Sequence, residues 1–166
     1  MVAVVLLFRA IPGTSAFVGH PTPVPTNGWY RIAEGRSLGE TWSVEFSNPG
    51  PCIRVVAGDD RRLGNSCGFE LTEAAPVLIQ GVSHEGGGER EVLLFGAVLP
   101  KIASIDIVAD GEAIETVLSD PEPFLQLNIR FFAALIGVPD RLEVTIRDRA
   151  GEGVFHDEGE NPYRDA

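Results

Sequence analysis

Apolar and polar side chains alternate with a period of two in several stretches of this chain. In WSVEF, residues 42–46, the tryptophan, valine and phenylalanine face one way, and the serine and glutamate face the other. The same alternation occurs in IASIDIV (102–108), in LEVTIRD (142–148) and in FLQLNIRFF (124–132). Their β-branched and aromatic residues favour strands over helices. The pattern predicts strands that are buried on one face and wet on the other.

Turn residues separate these strands at short intervals. Asp110-Gly111 lies between two apolar runs, and this dipeptide supplies the positive φ angles that a tight hairpin needs. Gly151 occupies a similar place in DRAGEG, and the best helical candidate, residues 70–75, is short. We therefore predict an all-β fold: an antiparallel β-sandwich of two facing layers, Ig-like or with a related Greek-key or meander topology.

Length and composition predict one folded domain. The chain has 166 residues, of which 44% are hydrophobic and 22% are charged, a balance typical of a globular protein. We assign residues 29–156 to the β-sandwich domain and residues 157–166 to a loose acidic tail. The segment GHPTPVPTNG, within residues 19–28, is rich in proline and predicts an extended linker.

The charge balance bears on possible partners. Thirteen basic and 24 acidic residues give a net charge of -11, which repels phosphate backbones and anionic membrane surfaces. Nucleic acid is therefore not expected as a partner.

The N-terminal segment, residues 1–18, has two interpretations. VAVVLLF at 2–8 precedes Pro12-Gly13 and the small residues 14–16, an order typical of the apolar region and cleavage site of a secretory signal. A basic region before the apolar run is missing, and a bilayer span needs about 20 apolar residues. The segment is either a signal or anchor remnant, the interpretation we favour, or a first strand. Membrane contact is expected only through this segment.

Both cysteines of the chain lie in PCIRVVAGDDRRLGNSCGFEL, residues 51–71. Cys52 and Cys67 are 15 residues apart, a spacing unlike that of CxxC redox or zinc pairs. If each begins a strand at either end of the intervening loop, a disulfide can form. Disulfides persist outside the reducing cytosol, which agrees with an exported chain. We predict a disulfide and an extracytoplasmic location, with two separate buried thiols as the alternative.

Several of these stretches together resemble a known group of proteins. They are Trp42, CIRV at 52–55, CGF at 67–69, LLFGAVLPKIASIDIVADG at 93–111, FF at 131–132 and VTIRDRAGE at 144–152. Their order resembles uncharacterised secreted or membrane-tethered β-rich domains of high-GC Gram-positive bacteria, over about residues 28–154. The resemblance implies a sandwich-like, extracytoplasmic, non-catalytic module, and it supplies no active-site residues.

Three features of the chain are candidate functional sites. GVSHEGGGE, residues 81–89, contains Ser83 and His84 but lacks the last glycine of the GxSxG nucleophile motif, so we interpret it as a hairpin loop. Trp29 and Tyr30 could form a platform for stacking a sugar ring.

Acidic residues could offer oxygen ligands to Ca²⁺, but the chain has no EF-hand loop and we expect no bound metal or cofactor. The candidates are Asp59 with Asp60, and Asp148 with His156, Asp157 and Glu158. We predict a non-catalytic interaction or structural module with an unknown protein or cell-envelope partner. The alternatives are a domain that binds carbohydrate or Ca²⁺ and a hydrolase that uses the 81–89 loop.

Overall fold

Strands make up the regular structure of the chain. The computed structural model describes residues 28–47, 50–58, 61–86, 89–114, 116–120, 128–160 and 162. Within these ranges there are twelve strands and no helix: β1 Trp29–Ser37, β2 Glu40–Ser47, β3 Cys52–Ala57, β4 Arg61–Cys67, β5 Val77–Gly86, β6 Glu89–Val98, β7 Ile102–Ala109, β8 Glu112–Ile114, β9 Val117–Ser119, β10 Arg130–Ile136, β11 Arg141–Asp148 and β12 Gly153–Glu160. The predicted signal, anchor or strand at 1–18 and all but the last residue of the linker lie outside the described residues.

The strands form three antiparallel sheets of four strands each. The first sheet has the order β1-β2-β3-β4, the middle sheet β5-β6-β10-β9, and the third sheet β12-β11-β7-β8. The first sheet is a meander of consecutive strands, whereas the chain passes back and forth between the other two. None of the described residues forms a helix that could cross a membrane.

The middle sheet is buried on both of its faces. Leu93 and Phe95 of β6 belong to the first core, which is shared with the first sheet. Their neighbours Val92 and Leu94 point the other way and belong to the second core, shared with the third sheet. The predicted all-β antiparallel sandwich is therefore confirmed, but with three layers where the sequence predicted two.

Each outer sheet shows the alternation that the sequence predicted. In the third sheet Ile105 and Ile107 are buried in the second core, while Asp106 between them is exposed. In the first sheet Phe46 packs across the first core against Phe131 of the middle sheet, with ring centroids 5.1 Å apart. The pattern thus marks the two sheets that meet water on one side.

Two turns form where the sequence predicted them. Asp110 and Gly111 join β7 to β8 with φ angles of 50° and 86°. Gly151 has a φ of 81° in the β11–β12 turn. There Asp148 Oδ1 accepts hydrogen bonds from the backbone N–H groups of Ala150 (2.8 Å) and Glu152 (3.0 Å). Asp148 therefore stabilises the hairpin that contains β12.

The structure corrects two local predictions. The short helical candidate at 70–75 is a turn: Thr72 and Ala75 exchange backbone hydrogen bonds of 3.1 Å, and Pro76 disfavours helical geometry at the residue before it. Of the strand proposed at 124–132, residues 124–127 lie outside the described residues, 128 and 129 are not strand, and β10 runs from Arg130 to Ile136. The apolar run after Phe131 fits a strand that is buried on both faces, and such a strand shows no alternation.

Candidate binding cleft

An open cleft lies between the edge strands β5 and β12, on one side of the two layers formed by the middle and third sheets. Its volume is about 400 Å³. Its apolar lining comes from both sheets: Val77, Ile79, Leu94, Leu142, Val144 and Phe155. The cleft therefore reaches the margin of the second core.

The register of β11 and β12 explains why this margin stays open. Leu142 lies opposite Gly159, and Val144 lies opposite Asp157. Glycine adds no side chain and aspartate adds a short polar one, so β12 contributes little apolar surface beside these two residues. Their exposed fractions are 8% and 6%, whereas Ile146, opposite Phe155, is fully buried. The cleft thus results from particular residue choices along one edge strand.

The other wall of the cleft follows the same principle. On β5, Gly81 pairs with Leu94 of β6, which lines the cleft but is itself only 1% exposed. Val77 and Ile79 are only partly buried where they pack against the second core. The β5 wall therefore presents aliphatic surface that the described residues leave partly uncovered.

The rim of the cleft is acidic. Asp157 and Glu160 line it, and no lysine or arginine does so among the described residues. Neither carboxylate has an ion-pair partner in the part of the chain that the structure describes. Glu158, on the opposite face of β12, instead pairs with Arg141 at 2.7 Å. The negative charge at the cleft is therefore open to a cationic partner.

The structure places Trp29 and Tyr30 on opposite faces of β1. Tyr30 lies opposite Phe46, on the core side, and Trp29 lies opposite Ser47, on the outer side. The guanidinium carbon of Arg54 sits 4.0 Å from the centre of a Trp29 ring. Arg54 also donates two hydrogen bonds to Glu45 Oε2, of 2.8 and 2.6 Å. The two aromatic residues therefore do not form one stacking platform.

The segment predicted as a hairpin loop at 81–89 is mostly strand. β5 runs to Gly86 and β6 begins at Glu89, and the two residues between them lie outside the described residues. Ser83 Oγ accepts a hydrogen bond of 3.3 Å from Arg90 Nη2, and Arg90 Nε lies 3.8 Å from a Glu85 oxygen. His84 lies opposite Glu91 in the strand ladder. The loop prediction was wrong because glycines and polar residues are typical of loops. Here they belong to a strand that pairs with β6 along its whole length.

The structure brings Cys52 and Cys67 together in a disulfide, as predicted. They are directly opposite each other on β3 and β4, with Cα atoms 4.1 Å apart. Cys67 is on the exposed surface of the first sheet. The bond closes the hairpin that forms the outer margin of this sheet.

The acidic residues considered for Ca²⁺ have other positions. Asp59 and Asp60 lie outside the described residues. His156 Nδ1 is 3.0 Å from Thr145 Oγ1 on the outer face of the third sheet, while Asp157 points into the cleft. In the described ranges, no three His, Cys, Asp or Glu side chains are grouped so that they could hold a metal ion.

Fold and cleft together define a class: a three-layer antiparallel β protein with an open, acid-rimmed apolar cleft at one edge. Comparisons with protein-family models, with curated proteins and with solved structures find no match for this chain. The geometry of the chain itself is therefore the basis for a proposed function.

Sequence reasoning missed the residues that form the cleft. Phe155, Asp157 and Gly159 do occur at alternate positions, as expected of a strand face. The polar composition of HDEGENPYRDA instead led to a predicted tail from residue 157, and β12 continues to Glu160. The period of two from Phe155 onward was the signal that could have identified them.

Proposed function

We propose that this chain is a non-catalytic, extracytoplasmic interaction module whose binding surface is the cleft between β5 and β12. The observation that carries the proposal is the cleft itself, which is lined by the partly buried Val77 and Ile79 and by the exposed ring of Phe155. Open apolar surface with a polar rim is typical of binding sites. Phe155, with 38% of its surface exposed, is the large hydrophobic side chain that the described residues leave in solvent.

The site of the proposed hydrolase offers little support for catalysis. Ser83 Oγ accepts a hydrogen bond from Arg90, and this arginine does not supply the base that would activate a nucleophile. The guanidinium group cannot serve as that base because it stays protonated. A non-catalytic role agrees better with this arrangement.

The disulfide supports the proposed location. An oxidised pair on the exposed surface of a sheet fits an oxidising compartment. The resemblance to secreted or tethered β-rich domains of high-GC Gram-positive bacteria points to the same compartment, and a protein or other cell-envelope component is the expected partner. Alkylation of the chain in intact cells, before and after reduction, tests the location. Cys52 and Cys67 should react only after reduction, and reaction without it would contradict an extracytoplasmic chain.

Photo-cross-linking in the cells that produce the chain tests the interaction. A photoreactive amino acid replaces Phe155 in the full chain, and a matched variant carries it at His156, the next residue on the opposite face of β12. We expect a discrete adduct from position 155 and none from position 156, followed by binding of the identified partner in purified form. A hydrolytic activity that is lost in Ser83→Ala would contradict the non-catalytic role.

A further inference from the structure

We propose that the cleft binds an extended polypeptide segment that carries apolar side chains on one face and lysine or arginine at its ends. The segment adds to the free edge of β5 as a fifth strand of the middle sheet. This inference rests on the proposed function and specifies the chemistry of the partner. Strand addition is an established way for an exposed sheet edge to bind a peptide.

β5 is an edge strand that lacks the usual protection against pairing with another chain. No described strand pairs with β5 on the side away from β6, so a row of backbone N–H and C=O groups is left for an outside partner. Proteins usually protect such edges with charged residues, with proline or by keeping the strand short. The ten residues of β5 include no lysine, arginine or proline, and the stretch Val77–Ser83 is uncharged.

The other edges of the three sheets are protected. β1, β4 and β12 each carry two or more charged side chains, and β8 and β9 have three residues each. Among the described edge strands, β5 has the longest run of residues without a charged side chain. The other sheet edges are protected against pairing with another chain. The exception at β5 therefore indicates that this edge binds a partner.

The cleft can accept apolar side chains from an added strand. Alternate residues of that strand would point toward the third sheet, as Val77 and Ile79 of β5 do. There they would meet the half-open surface formed with Phe155 of β12. A cleft of about 400 Å³ is within the usual size range of ligand sites. A small apolar ligand could fill the cleft but would leave the β5 backbone without partners.

The acidic rim of the cleft favours a segment with positive charge. Asp157 and Glu160 at the rim favour lysine or arginine on the incoming segment, whose long side chains can extend to a carboxylate from a strand end. A second copy of this chain is disfavoured because pairing two β5 edges would bring two acidic rims together. The net charge of -11 adds to that repulsion.

The test uses the full chain and synthetic ten-residue peptides. The probe is an acetylated and amidated peptide of four Val-Thr repeats flanked by one lysine at each end. One control replaces the lysines with glutamate, and another replaces the valines with serine. Fluorescence anisotropy measures affinity, and hydrogen exchange detects pairing of the β5 backbone. We expect the lysine-valine peptide to bind at least about tenfold more tightly than either control.

Hydrogen exchange should slow in the segment 77–86 when this peptide binds, and not at β9, the opposite edge of the same sheet. Equal affinity for the lysine and glutamate peptides, or unchanged exchange in β5, would overturn the proposal. A dimer in which a second copy of the chain occupies the cleft would also overturn the proposal. Such a dimer would be detected if the mass measured by light scattering halves when Phe155 is replaced by serine. A cross-linked partner at position 155 with no peptide binding would leave the interaction module intact and overturn only the strand-type ligand.

Variants at exposed positions complete the test. Phe155→Ser should weaken binding of the lysine-valine peptide about tenfold because it removes apolar surface of the cleft. Asp157→Lys should reverse the preference between the lysine and glutamate peptides. Glu158→Lys is the matched control: it changes the net charge equally, on the opposite face of the same strand. An equal effect of Glu158→Lys would show a general charge effect and overturn the role assigned to the rim.

Discussion

Replacing Gly96 with alanine is the most direct test of the close approach of strands within the middle sheet. Gly96 lies in β6, between β5 and β10, and the middle sheet is covered on both faces. A Cβ atom added there would lie 1.9 Å from the carbonyl oxygen of Leu78 and 2.8 Å from Cε1 of Phe132. Both distances are well below van der Waals contact. The position therefore accepts only glycine unless neighbouring strands move apart.

The expected loss of stability depends on which atom lies nearest to the added Cβ. A side chain can rotate away from a new methyl group, but the Leu78 carbonyl belongs to a strand that is hydrogen-bonded to β6. Overpacking a core costs about 1–3 kcal/mol, and a backbone clash belongs at the upper end of that range. We expect Gly96→Ala to lower the free energy of unfolding by about 3 kcal/mol. For a chain of this length the melting temperature should fall by about 10 °C.

Urea denaturation followed by tryptophan fluorescence and circular dichroism measures the change. Gly159→Ala is the matched control: it is also a strand glycine, but its added Cβ would have no heavy atom within 4 Å. We expect the control to be within about 0.5 kcal/mol of the native chain, or slightly more stable. A Gly96→Ala chain as stable as the Gly159→Ala chain would refute the close packing of β5 on β6.

Three further predictions concern bonds outside the middle sheet. Replacing Cys52 and Cys67 together by serine should lower stability by about 3 kcal/mol in urea titrations, and the native chain denatured without reductant should show no reactive thiol. Arg54→Ala removes two hydrogen bonds from the Glu45 carboxylate, whose side chain is 13% exposed, and should cost about 1 kcal/mol, with the pairwise share given by a double-mutant cycle. Asp148→Ala removes two turn hydrogen bonds and should cost about 1 kcal/mol, with faster hydrogen exchange in β12.

The two outer sheets could be predicted from the sequence because water contacts one of their faces. Ser43 and Glu45 alternate with buried residues in β2, and Asp106 does so in β7. The middle sheet gives no such signal. Residues 92–98 are buried on both faces and read as a continuous apolar run, whose partners are fixed only when the other two sheets are in place. The number of layers was therefore beyond a pattern read one strand at a time.

The cleft was harder to predict because it depends on register. Neither Gly159 nor Asp157 is unusual in an acidic segment. Their effect comes from lying opposite Leu142 and Val144, and a shift of one residue would turn them to the outer face. The disulfide, by contrast, follows from two cysteines at the ends of one hairpin. A short-range feature of this kind is visible in a sequence, whereas a gap between two sheets is not.

The first sheet and the cleft have related physical origins. Eight strands from β5 onward form a sandwich whose middle sheet has a second apolar face, including Phe95 and Phe131. The first sheet covers that face, and as a single layer it cannot bury its own apolar side without the middle sheet. The β5 edge is not covered by the same arrangement, because stacking layers protects sheet faces and leaves sheet edges open. Charged side chains protect the neighbouring edges, so the uncharged stretch Val77–Ser83 of β5 is the surface on which we expect a partner to act.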